Sequence, residues 1–150
     1  MSEQIEAGEQ LYELNLRISS NKGFGVGLEA ILAGEPLPPA GVRFDIALTG
    51  KSTGKVAGAA ETMGYFFIRG DGSFQLHVHG AIETDDGTRI AISSVGTSEP
   101  SETLGLVELS EDVELHTGFP EFAWVNDVSV SARGIMNMGT GRLVTRGYAT

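Results

Sequence analysis

The sequence predicts an all-β protein: a single antiparallel β-barrel of about nine short strands with at most one short helix. Three observations lead there. Apolar residues alternate with polar ones in short runs, these runs recur at roughly ten-residue spacing, and turn-forming pairs such as Asp71-Gly72 and Asp86-Gly87 separate them. Glycine supplies 21 of the 150 residues, about double the usual ~7%, scattered through the runs and not gathered in one low-complexity block. A barrel is favoured over a sandwich because closure leaves no strand edge to protect, and Gly54, Gly58, Gly64 and Gly80 inside strand-like runs suit the tight bends of a barrel wall.

In order along the chain, residues 1–10 form an acidic N-terminal extension and 11–150 a single barrel domain with no repeat or linker. Tyr12, Leu14, Leu16 and Ile18 alternate with Glu13, Asn15 and Arg17, a first strand with one buried face that ends at Ser19-Ser20-Asn21. One or two helical turns are expected between Gly23 and Gly34, stopped by Gly34 and Pro36. Phe44, Ile46 and Leu48 mark the next strand, and Lys55 to Ala60 is glycine-flanked and strand-like. A three-strand meander follows from Glu61 to Val95. Beyond Pro100 the strand-like runs are Leu104 to Leu109, Val113 to His116, Phe122 to Ala132 and Gly141 to Tyr148.

The meander is the most informative stretch, because its turns and its hydrophobic pattern agree on one register. With three-residue loops and a left-handed glycine in each, Phe66 lies opposite Leu76, Ile68 opposite Phe74, and Ile82 opposite Ile90, so one face is wholly apolar. Two-residue loops would set His77 opposite Phe66 and Glu83 opposite Ile90, which a half-buried sheet resists. The other face then carries Tyr65 across from His77, Met63 across from His79, and Glu83 across from Arg89, with Phe67, Arg69 and Ser93 nearby. Solvated walls favour Asp, Glu and Lys. The face reads either as the solvated side of a one-sided sheet with a Glu83–Arg89 cross-strand pair, or, given these amphipathic side chains, as a pocket or an interface where imidazole and phenol can move protons near neutral pH.

Composition excludes several function classes. Twenty acidic against ten basic residues give a net charge of −10, which disfavours nucleic acid and anionic membranes as partners. Cysteine is absent, so disulfides and thiolate chemistry are impossible. The acidic start lacks the basic and apolar segments of a signal peptide, and no stretch approaches ~18 consecutive apolar residues, so a cytoplasmic protein is expected. Gly25-Val-Gly27-Leu-Glu-Ala30 imitates a dinucleotide fingerprint, but Gly34 and three prolines interrupt the helix that such a site needs. His77-Val-His79 points two imidazoles the same way, as zinc on a sheet requires, yet the spacing selects no third ligand among Glu83, Glu61 and His116, so no metal and no cofactor are assigned. Asn126 shares a stripe with Phe122, Trp124, Val128 and Val130. A buried amide there needs partners, either a neighbouring backbone or a ligand held against Trp124.

Several blocks together, Phe44-Asp-Ile-Ala-Leu-Thr-Gly, Tyr65-Phe-Phe-Ile-Arg-Gly-Asp-Gly, Leu76-His-Val-His, Thr84-Asp-Asp-Gly and Phe122-Ala-Trp-Val-Asn126, resemble the bacterial domain-of-unknown-function 3237 family over roughly Leu11 to Tyr148. The resemblance implies a lipocalin-like or allene-oxide-cyclase-like barrel, often oligomeric, without a settled activity. Many sequences of that pattern carry an aspartate immediately before the tyrosine matching Tyr65. This chain has Gly64 there, which leaves His77 and Glu83 as the available substitutes.

The expectation is an isomerase, cyclase or lyase that works without a cofactor on a small lipophilic or aromatic molecule in a barrel pocket. Tyr65, His77, His79 and Glu83 are its candidate acid-base residues, and Arg69, Trp124 and Asn126 its candidate substrate contacts. The alternatives are a non-catalytic ligand-binding barrel and a structural homo-oligomer that covers the Tyr65/His77 face.

Overall fold

A computed structural model of the chain describes residues 5–98, 103 and 105–150. Eight strands, β1 (Gln10–Gly23), β2 (Val42–Gly54), β3 (Gly58–Ile68), β4 (Phe74–Glu83), β5 (Arg89–Ser98), β6 (Leu106–His116), β7 (Val130–Asn137) and β8 (Arg142–Ala149), form a closed barrel in chain order. Every neighbouring pair is antiparallel, including the β1–β8 pair that closes it. The backbone of Gly8 and Glu9 extends that closure, with Gly8 N–H donating to Ala149 C=O at 2.7 Å and Ala149 N–H to Glu9 C=O at 2.9 Å.

The meander has the register that its pattern predicts. Phe66 pairs with Leu76, Ile68 with Phe74, Ile82 with Ile90, Tyr65 with His77, Met63 with His79, and Glu83 with Arg89. Both hairpins turn through three residues, closed by Arg69 N–H to Ser73 C=O and Thr84 N–H to Thr88 C=O, each 2.9 Å. Gly72 and Gly87 supply the left-handed residue at φ +90° and +89°. Asp71 and Asp86 brace the turns by accepting the amides of Ser73 and Thr88, two residues on, at 2.9 and 3.2 Å, the Asx-turn that favours Asp before Gly.

Four local readings change. β1 runs on past Ser19-Ser20-Asn21 to Gly23 through a register shift between Ile18 and Ser20, so polar residues continue the ladder at a bulge. Lys55 to Ala60 divides into a turn and the start of β3. Of the run Leu104 to Leu109, Leu104 lies outside the described residues, and from Leu106 on it joins Val113 to His116 in one strand, β6. Phe122 to Ala132 is not a strand throughout: Pro120–Asp127 forms a kinked 3₁₀ segment and β7 begins at Val130. Pro120 suits that start, since a proline opens a helix without losing a needed donor. With α1 (Leu28–Leu32), ended by Gly34 at φ +92°, the barrel has two short helical pieces.

The inward faces make one core. Phe44, Ile46, Phe66, Leu76, Ile82, Ile90 and Met136 are essentially inaccessible, each contributing roughly 1.5–3 kcal/mol by leaving water. Glycine permits the curvature. A Cβ at Gly134 would lie 2.0 Å from the Val144 carbonyl oxygen, and one at Gly58 2.1 Å from that of Glu83, so only a residue without a side chain lets those strands approach.

Because Leu76 faces the core and His77 the outside, neighbouring truncations should differ sharply. Phe66→Ala, Leu76→Ala and Ile82→Ala are each expected to cost ~2–5 kcal/mol in urea unfolding, against under ~1 for His77→Ala and Glu83→Ala. Equal losses at Leu76 and His77 would contradict this register.

Candidate active site

The outer wall holds the residues that the sequence singles out. Tyr65, His77, His79, Glu83 and Arg69 lie on the exterior of β3, β4 and the turn between them, all exposed. The structure brings three of them together: the His77 and His79 rings are 4.3 Å apart, and Tyr65 is the cross-strand neighbour of His77. Glu83, paired with Ala59 and Arg89 at the other end of β4, and Arg69 in the hairpin lie apart from them. It does not put them inside a barrel pocket. Alternation sends Phe66, Leu76 and Val78 inward and leaves these side chains outside, and the barrel's curvature does not cover Met63 or Tyr65, each 40% exposed. The Arg43 guanidinium lies 5.0 Å from the centre of the Tyr65 ring and 4.9 Å from that of Phe24, and it pairs with Asp45 at 2.8 Å. Arg69 donates to Ser73 Oγ and Gln75 Oε1, both at 3.2 Å, and so serves its own hairpin. Among the described residues no three His, Asp or Glu side chains gather as a metal would need.

Trp124 and Asn126 sit on the 3₁₀ segment, not on a strand stripe. Trp124 packs half-buried against the core, 6.4 Å from the Phe122 ring. The Asn126 carboxamide accepts from Thr117 N–H at 2.8 Å and donates to Thr117 C=O at 2.9 Å. Both ends of the amide are therefore committed to backbone, which ties the 3₁₀ segment to the end of β6.

The inner wall holds a constellation that the sequence reading missed. One row across the sheet reads Gly96 on β5, Glu111 on β6, Ala132 on β7, Gly147 on β8 and Tyr12 on β1. Its small members make room for its large ones. A Cβ at Gly96 would come within 2.9 Å of Glu111 Cγ, and a Cβ at Gly147 within 2.3 Å of the Tyr12 ring. The Glu111 carboxyl thus lies over Gly96 and the phenol over Gly147. Ser94 Oγ donates to Glu111 Oε1 at 3.0 Å, and among the described residues Glu111 is the only buried side chain of an ionisable acid or base other than tyrosine.

Burial sets the proton affinities here. Desolvation raises the Glu111 pKa, opposed in part by the Ser94 hydrogen bond, which favours the carboxylate. Desolvation, and then the proximity of Glu111, push the Tyr12 phenol far above its ordinary range. The result is a carboxyl that holds its proton more tightly than usual, on the same inward row as a phenol that stays protonated. On the exterior, a recess of about 400 Å³ is lined by His77, Val95, Gly96, Ser110, Glu111 and Asp112 among others, and Glu111 retains 9% exposure.

No protein-family model matches the chain, and no curated protein does. Solved structures match its whole length. A protein with unknown function from Clostridium acetobutylicum shares 17% identity at a TM-score of 0.75, covering 95% of this chain and 97% of that one. A beta-barrel like protein from Acinetobacter baumannii shares 17% at 0.73, with 99% and 98% covered. An enzyme from Penicillium herquei shares 15% at 0.61, with both chains covered in full. At these identities the likeness is one of fold.

Two measurements check the site's physics. A native Glu111 that binds its proton more tightly than in the unfolded chain makes stability fall as pH rises, from the unfolded carboxylate range near ~4.3 up through the raised native value. Glu111→Gln keeps the shape of the neutral acid and removes that slope. Its stability relative to the parent should therefore rise between pH 4 and pH 8 in denaturant titrations, while the depressed acids Asp71, Asp86 and Glu9 cancel in the comparison. Asn126→Ala should cost about 1–3 kcal/mol by stripping Thr117 of both partners, with the loss read in the same titrations.

Proposed function

We propose that the protein is a small-molecule enzyme of the isomerase, cyclase or lyase type, and that Glu111 is the group that moves the proton. The observation that carries this reading is the Glu111 carboxyl itself, held inside an apolar barrel with Ser94 and Tyr12 as its polar company. A buried carboxyl costs stability whatever it does, so its retention is what a site would need, and acid-base catalysis requires a proton affinity shifted from the ordinary carboxylate value. The Penicillium herquei protein of the same fold, described as an enzyme, supports the view that this barrel can host catalysis.

The chemistry that suits these groups is proton abstraction beside a carbonyl. The Glu111 carboxylate takes a proton from the carbon next to the substrate carbonyl, the C–H electron pair moves to form the enolate, and the Tyr12 hydroxyl donates a hydrogen bond to the developing oxyanion. The protonated Glu111 then returns its proton to a different carbon, or the enolate re-forms the carbonyl and expels a β leaving group that takes the proton from Glu111 as it departs. Ser94 acts through Glu111 as a positioning residue. Glu111 is among the residues that line the outer recess between β4, β5 and β6, so a small lipophilic carbonyl compound would have to enter from there, between the strands, to reach the carboxyl and Tyr12 on the inner side of the wall.

The test is hydrogen-deuterium exchange in heavy water, followed by NMR, for a panel of cyclic and aromatic ketones. The parent protein should exchange the α-hydrogens with a rate that rises with pH as Glu111 ionises, and Glu111→Gln should lose at least ~100-fold. Ser94→Ala removes a hydrogen bond to the charged form, so its pH profile should move to higher pH. Parent-level exchange in Glu111→Gln together with loss in Tyr65→Phe or His77→Ala would return the site to the outer wall, and a parent that exchanges none of the panel would overturn the proposal.

A further inference from the structure

We infer a second binding site: the outer groove across β6, β7 and β8 takes small organic anions, a carboxylate or phosphate carried on an apolar or aromatic body. Arg133 on β7 and Arg146 on β8 are directly opposed cross-strand partners, both exposed and on the same outer face. Like charges in that position destabilise a sheet. The arrangement is costly, and the local pattern relieves only one member of the pair, although Glu108 also lines the groove on the rung of Ile135. Glu13 accepts from Arg146 Nε at 2.9 Å, whereas among the described residues no carboxylate lies within ion-pair distance of Arg133.

Shape and surroundings make this pair a site. The two arginines line a concavity of about 1360 Å³ together with Ile135, Val144 and Tyr148. Ile135 pairs with Val144 on one rung beside the arginines, and Tyr148 with Ser131 on the rung at the other side, so an apolar floor flanks two guanidinium groups. Cross-strand neighbours stand about 4.5–5.5 Å apart at Cβ, close enough for both forks to converge on the two oxygens of one carboxylate or phosphate. Ile135 is 50% exposed, apolar area that an aromatic or aliphatic body would cover. The net charge of −10 repels anions elsewhere on the surface, so capture depends on this convergence. A symmetric second copy fits less well, since it would set four arginines against one another.

The experiment is a heteronuclear NMR titration of the full chain with naphthoate, naphthyl phosphate and the neutral naphthalenemethanol. Naphthoate or naphthyl phosphate, or both, should perturb the amides of Ile135, Val144 and Tyr148 and the side-chain Nε–H of Arg133 and Arg146, with the stronger of the two naming the acid group. The neutral alcohol should bind at least about tenfold more weakly, and Arg133→Gln should weaken the anions by a similar factor, with Arg133→Lys in between. Both variants are exposed substitutions whose melting curves show whether the fold is intact. Unchanged affinity in folded Arg133→Gln, equal binding of the alcohol, perturbations confined to another face, or a groove already occupied by a second copy in light scattering would each overturn the inference. Because Arg133 and Glu111 lie on different faces, Arg133→Gln should leave α-hydrogen exchange intact, so failure here and failure of the enzyme reading are separable.

Discussion

The interior of an eight-stranded barrel is just wide enough for its own side chains, and this limit governs the rest of the molecule. Closing β1 onto β8 forces the strands to bend, and they bend where glycine removes the obstacle. At Gly50, Gly58, Gly80 and Gly134 an added Cβ would stand 2.0–2.2 Å from a carbonyl oxygen of the adjoining strand. The high glycine content is therefore a packing requirement of the wall more than a sign of many loops. The same limit explains Gly64, whose absent side chain is replaced by the Phe66 ring. An aspartate there would aim into space that Phe66 already fills.

What could be read from the chain was whatever two local signals specified together. In the meander, Asp-Gly turns and strict alternation independently demanded one register, and the pairs Phe66–Leu76 and Ile82–Ile90 follow. Where only one signal was present, reading failed. Phe122, Trp124, Asn126, Val128 and Val130 alternate like a strand, but Pro120 opens a 3₁₀ segment and the amide of Asn126 is consumed by Thr117. Ser19-Ser20-Asn21 has loop composition, yet pairing with β2 carries it on as strand, a case of tertiary context overriding propensity.

The inner site was legible by the rule that was applied to Asn126. Val107, Leu109, Glu111, Val113 and Leu115 alternate along β6, an apolar stripe interrupted by one carboxylate. The break at Ser110-Glu111-Asp112 between the runs Leu104 to Leu109 and Val113 to His116 hides the stripe and with it the anomaly. The outer residues Tyr65, His77 and His79 drew attention instead because they are chemically conspicuous. Spacing alone could not say whether that face lines a lumen or a wall, since in a closed barrel either face can be lined by other parts of the chain. Only closure, with Tyr12 brought beside Glu111 across Gly147 and Ala132, determines which face encloses the reactive groups.

Departures from local consistency in this chain concentrate on three adjacent strands. A carboxylate buried on the inner face of β6 could be replaced by an apolar residue of similar volume with a gain in stability, and of the opposed arginines on β7 and β8 only Arg146 has an acid, Glu13, as its partner. Sequences that fold well tend to violate such rules where a site is retained at the expense of stability. β6 to β8 carry one violation on each face of the same wall, a proton-holding group inside and an anion-attracting pair outside. The two differ in what they exclude: the interior removes water from Glu111 and shifts its proton affinity, whereas the exterior leaves Arg133 and Arg146 solvated and gains from their convergence alone. That division, desolvation within and charge geometry without, is what a thin wall of alternating side chains permits, because neighbouring residues along one strand face opposite environments.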